Sequence, residues 1–215
     1  MAIDRKAHRL VECIEAVVGK RMARRITKDL KEPTAGTPPG RKAAWAGEVI
    51  VRMDRLLPSD QRREIMERRR CHASNAGIMR NRKLWQECKS LEDFARATRE
   101  RGWKGYLCEG NTLRMQISSG WCHCSLVRGR EAPISKTYCL CCAGHLRHGL
   151  EPVFEQPVYV EPISTPISGD KECWFVAHIG GKGATERPEQ VRARLERKPM
   201  PPEERRRPVR EEVRK

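Results

Sequence analysis

An α+β fold is what the sequence predicts. Helix-spaced apolar residues fill its first part, segments of strand character come in two pairs in its second, and a short helix divides the pairs. That order implies one antiparallel sheet, because strands joined by short turns pair with one another.

The first element is a helix. Leu10, Ile14, Val17 and Val18 recur at i, i+4, i+7 and i+8, and Met22, Ile26 and Leu30 extend the spacing into one long amphipathic helix. On it, Lys20, Arg21, Arg24, Arg25, Lys28 and Lys31 lie within roughly 140 degrees of one another and form a basic face, most simply read as a solvated one. Segment 32–40, with Pro33, Gly36, Pro38, Pro39 and Gly40, reads as a loop. A second helix passes through Trp45, Val49, Met53 and Leu56 and ends at Pro58. Ser59 or Asp60 can cap the third, which runs through Ile65 and Met66 toward Cys71. A further helix starts at Ser90, where Asp93 has capping-box spacing and Gly102 stands at the expected C-terminal cap.

Strand character begins near Tyr106. Tyr106, Leu107, Thr112, Leu113, Met115 and Ile117 flank the turn Glu109-Gly110-Asn111, which predicts a β-hairpin. A short helix from Tyr138 to Leu150 follows, and then two more strands at Val158-Tyr159-Val160 and Cys173-Trp174-Phe175-Val176, with a turn at Ser168-Gly169-Asp170 between them. Three regions result: a helical part over 1–70, a cysteine-rich α+β domain over 71–179, and a Pro-, Arg- and Glu-rich stretch over 180–215 expected to be a disordered basic tail.

Charge is spread unevenly. Residues 1–80 carry 19 Lys and Arg against 10 Asp and Glu, residues 81–179 carry 13 against 11, and residues 180–215 carry 12 against 7. A metal module that itself gripped phosphates would set cations beside its ligands, so the near-neutral middle argues against a zinc finger reading nucleic acid. The basic helix and tail could still make weak contact with nucleic acid or an acidic protein. No stretch approaches membrane length. The first 18 residues carry Asp4, Arg5, Lys6, Arg9, Glu12 and Glu15, so they lack a secretory apolar run and a cytoplasmic protein is expected.

The ten cysteines cluster instead of spreading as a disulfide framework. Cys122-His123-Cys124 and Cys139-Leu140-Cys141 form two Cys-x-Cys pairs across a short loop. Four thiolates so placed suit tetrahedral zinc, and less well copper or an iron-sulfur cluster. The candidate ligands are Cys122, Cys124, Cys139 and Cys141, with Cys71, Cys142 and His145 as possible additions. On the helix that follows, Cys139, Cys142, Leu146 and Leu150 share one stripe and look like core, while Cys141, His145 and His148 share another. Cys13, Cys88, Cys108 and Cys173 stand alone, and packing accounts for them.

Segment 120–127, Thr137-Tyr138-Cys139-Leu140-Cys141, Pro157-Val158-Tyr159-Val160-Glu161 and the segment from Gly169 to Phe175 together resemble an uncharacterised family of cysteine-rich bacterial proteins. The last of these segments is similar to the end of 4-vinyl-reductase-like sensor domains. The resemblance covers about 71–179 and implies a ligand-sensing or regulatory α+β domain, in which Cys122, Cys124, Cys139 and Cys141 match the family's cysteines and Cys71 an early one. The Cys141-Cys142 doublet departs from that pattern. The order of pairs is also similar to SWIM-type zinc modules, although Cys141 stands where those close with His.

The expected function is therefore a non-enzymatic, metal-binding sensing or regulatory domain, with a small apolar ligand as a further partner. The alternatives are a nucleic-acid-binding zinc protein and, least supported, a thiol-dependent enzyme. Neither a phosphate-cradling glycine loop nor His-Glu-x-x-His occurs.

Overall fold

Six α-helices and a four-stranded antiparallel sheet make up the computed structural model, which describes residues 2–71, 73–101, 106–120 and 122–181. The predicted tail therefore lies outside the described residues except for Gly180 and Gly181, as do Gly102 and His72.

Helix α1 (Arg5–Thr27) starts where Asp4 accepts from the backbone N–H groups of Lys6 and Ala7. It buries Ala7, Leu10, Ile14, Ala23 and Ile26, as the apolar spacing predicts, but it is not one continuous rod. Gly19 has φ 76 and ψ 161, a conformation that only glycine adopts at little cost, and it sets the stretch after it at a new angle. Leu30 and Lys31 fall beyond the helix end.

Helix α2 (Pro39–Leu56) begins earlier than predicted. Pro39 and Gly40 belong to its first turn, where a proline ring supplies a helical φ and its missing N–H costs nothing. Helix α3 (Ser59–Arg68) takes its first position from Ser59, and Pro58 holds the cap position without a side-chain hydrogen bond, so neither Ser59 nor Asp60 caps it. Helix α4 (Asn75–Glu87) is absent from the sequence reading. Ser74 caps it by accepting from Gly77 N at 3.2 Å, and only Leu84 on it is fully buried, so it has no apolar stripe to betray it. Helix α5 (Leu91–Glu100) is capped by Ser90 as expected, while the Asp93 carboxylate reaches back to Lys89 N at 3.3 Å.

Strands β1 (Tyr106–Glu109) and β2 (Thr112–Ser119) form the predicted hairpin, with Gly110 at φ 57 in its turn. After a 3-10 turn over Lys136–Cys139, α6 (Leu140–Phe154) runs past Leu150 and accommodates Pro152 in its last turn. Strands β3 (Val158–Ser164) and β4 (Glu172–Ile179) complete the sheet in the order β1-β2-β4-β3.

One apolar core runs through all of this. It joins Leu10 and Ile14 of α1, Ile50 and Met53 of α2 and Met66 of α3 to Tyr138, Val153 and Phe175 from the second half. Trp85, Phe94 and Phe154 meet edge to face with ring centroids 5.0 to 5.9 Å apart, tying α4 and α5 to α6. Helices α3 and α6 touch at backbone distance: a Cβ on Gly144 would stand 2.8 Å from Glu67 Cα. Glu67 is buried there between Arg63, at 2.9 Å, and Arg147, at 2.7 Å.

Candidate functional site

The site forms where the chain leaves β2 and enters α6. The loop after β2 carries Cys122 and Cys124, the 3-10 turn ends on Cys139, and Cys141 and Cys142 open α6. Cys139 and Cys141 are buried and the other three are partly so. The predicted stripes on α6 hold in part: Cys139 and Leu150 are buried as expected, but Cys142 and Leu146 are only partly covered, and Cys141 of the other stripe is buried with Ala143 and Gly144. The reason is the close seat of α6 on α3, which turns the Gly144 side inward.

The five thiols of the two sequence clusters come together, and a sixth joins them. Cys122 lies within electrostatic reach of Cys124 and Cys141, and its charge would raise the pKa of Cys139, Cys142 and Cys173. Cys173 stands on β4 opposite Ser118 of β2, on the face shared with Phe175 and Ala177 that turns to the core. Burial pushes its thiol up to about 11, with Cys122 adding to the effect. Burial also pushes Cys139 and Cys122 up, opposed at Cys139 by a hydrogen bond with Thr165 and at Cys122 by the backbone N–H of Cys124.

One thiol goes the other way. Cys141 is pulled down by a hydrogen bond with Cys142, whose sulfur is 4.0 Å away, then against the cost of burial by the Arg69 guanidinium. Cys142 is pushed up, first by that same contact and then by burial.

Arg69 is the charge at the centre of the site. It follows α3, is 6% exposed, and has no carboxylate partner among the described residues. Its Nη2 donates to Tyr138 Oη at 2.9 Å, its guanidinium carbon lies 4.9 Å from the Tyr138 ring centre, and its remaining charge partners are Cys141 and Cys124. Tyr138, 1% exposed, is 3.0 Å from Cys124 Sγ, so cation, phenol and sulfur form one chain. Burial works against the charge on Arg69, but the surrounding sulfurs and phenol hold it firmly protonated. A guanidinium taken out of water needs an anion nearby, and among the described residues the groups that act on Arg69 most strongly are the phenol and the thiols.

The remaining candidates sit differently. Cys71 is exposed just after α3, and it meets His145 of α6 through its carbonyl oxygen, which accepts from His145 Nδ1 at 2.9 Å. Neither residue is among the leading charges felt by the cluster's thiols. His148 approaches Arg70 at 3.5 Å.

A family model for proteins of unknown function, DUF6144, matches residues 1–179. The chain belongs to that family. No curated protein and no solved structure matches this DUF6144 chain.

The donor set of this DUF6144 protein has the softness that zinc, copper or iron-sulfur centres require. Its placement is open, however: among the described residues no three His, Cys, Asp or Glu side chains stand so as to hold one metal ion. Among the described residues, two hollows lie away from the cysteines. One, of about 340 Å³, is an open groove between α2 and residues 130–134, and the other, of about 690 Å³, is a polar dish between α4 and α5. Among the described residues no helix is long and apolar enough to cross a membrane.

Proposed function

We propose that this DUF6144 protein is a non-enzymatic sensing or regulatory domain whose buried cysteine cluster takes a thiophilic ion, zinc first. The observation that carries the reading is Arg69, a buried cation with no carboxylate partner among the described residues, set against Tyr138, Cys124 and Cys141. Such a cation favours sulfur as thiolate, the form that binds metal. Four thiolates on one divalent ion leave a net negative charge, which a guanidinium beside two of the sulfurs offsets. Binding requires Cys122, Cys124, Cys139 and Cys141 to draw closer than they stand, since no three of the described ligands converge. The regulatory part of the reading rests on the likeness of the last strands to 4-vinyl-reductase-like sensor domains.

The test is metal content by mass spectrometry on protein purified without oxygen, for the wild type and for Cys122→Ser, Cys124→Ser, Cys139→Ser and Cys141→Ser. Near-stoichiometric zinc or iron that falls away in the variants is the expected result. A metal-free, well-folded wild type overturns it and puts thiol chemistry at Cys141 in its place.

A further inference from the structure

We infer that the stretch of α1 beyond its kink is a docking surface for the phosphate backbone of duplex nucleic acid. Lys20, Arg21, Arg24 and Arg25 on the helix, with Lys28 and Lys31 just past its end, are all exposed, and among the described residues none of the six side chains has an ion-pair or hydrogen-bond partner. Elsewhere the arginines of α3 are engaged, Arg62 with Asp54, Arg63 with Glu67 and Arg68 with Glu64. No acidic residue interrupts 20–28, Asp29 is the one carboxylate within 20–31, and the carboxylates of Glu32 and Glu48 are occupied by His8 and Arg52. Arg52 also donates to the carbonyls of Ile26 and Lys28, covering the partial negative charge at the helix end. Six cations against the one carboxylate of Asp29 leave a net positive field on this face.

The occupant follows from what accompanies the charge. A membrane-binding helix or a protein interface would add exposed apolar anchors, but Met22 is half-buried, Ala23 and Ile26 are buried, and the exposed large apolar residues, Ile3, Val51, Met79 and Ile163, lie on other segments. Single strands bind through stacked aromatic residues, and 20–31 contains none. Closely spaced cations alone match the duplex backbone, and the eight-residue rise from Lys20 to Lys28 covers about 12 Å, enough to meet several phosphates. Recognition by charge alone carries no sequence preference. This inference is independent of the cysteine cluster.

The experiment is titration of the full chain with a random-sequence DNA duplex over a range of salt, beside Arg21→Gln/Arg24→Gln/Arg25→Gln/Lys28→Gln and a control carrying Arg55→Gln, Arg80→Gln and Lys83→Gln. The expected result is binding that weakens steeply with salt, with the fourfold variant at least about tenfold weaker at low salt and its log–log salt slope reduced by about 3, while the control changes little. All altered side chains are exposed, so thermal melts should agree. Absence of duplex binding by the wild type, equal loss in the control, an unchanged fourfold variant, or binding to anionic vesicles in preference to duplex each overturns the inference.

Discussion

Asp4 links α1 and α2 through one carboxylate. It caps α1 through the N–H groups of Lys6 and Ala7, at 2.9 and 3.2 Å, and takes an ion pair from Lys42 of α2 at 2.7 Å. Burial alone would push its pKa up, but Lys42 and the two backbone donors hold it below the ordinary aspartate value. A carboxyl depressed in the folded state stabilises above its unfolded pKa, and that contribution is lost as pH falls through the folded one. Asp4→Ala should therefore cost about 1 kcal/mol at neutral pH in urea denaturation, with the gap to wild type closing in strongly acidic buffer. A gap that persists there would mean that the charge contributes nothing. At this scale the site was only partly legible. Arg69 sits four residues after Ile65 and three after Met66, on the buried stripe of α3, yet the run Arg68-Arg69-Arg70 reads as a solvated basic segment. Cys173 alternates with Phe175 and Ala177, so period-two patterning places it on the core face, but nothing local connects it with Cys122.

Among the elements, the α3–α6 contact decides how the site is oriented. Gly144 lets the two backbones meet beside Glu67, and this contact turns Cys141 inward at the first turn of α6. Gly144→Ala introduces a Cβ 2.8 Å from Glu67 Cα, backbone that cannot swing aside. The expected loss is about 1–3 kcal/mol by thermal or urea denaturation. An unchanged melting temperature would place the helices further apart than described. Apolar spacing together with cap and turn residues revealed α1, α2, α3, α5, α6 and all four strands. It missed α4, whose single buried residue, Leu84, leaves no repeat to read, and it passed over Gly19, since a kink preserves apolar spacing on both sides.

The molecule as a whole is held by one core. The α+β class was readable because helices and strand pairs are segregated along the chain, whereas the joining of its two halves rests on side chains far apart in sequence, such as Leu10 and Val153. The family match likewise runs across the position where the sequence suggested a boundary. A fragment of residues 71–179 loses the α1–α3 side of that core and the Arg69 charge. It should lack a cooperative thermal transition, and a sharp melt in near-ultraviolet circular dichroism would refute this.

Arg69 has a further consequence when the chain is considered as it is made. It is synthesised ahead of the sulfurs of the cluster, so on the ribosome the cation is present before Cys122, Cys124 or Cys141 emerges. Each thiol then arrives in a chain whose counter-charge already exists.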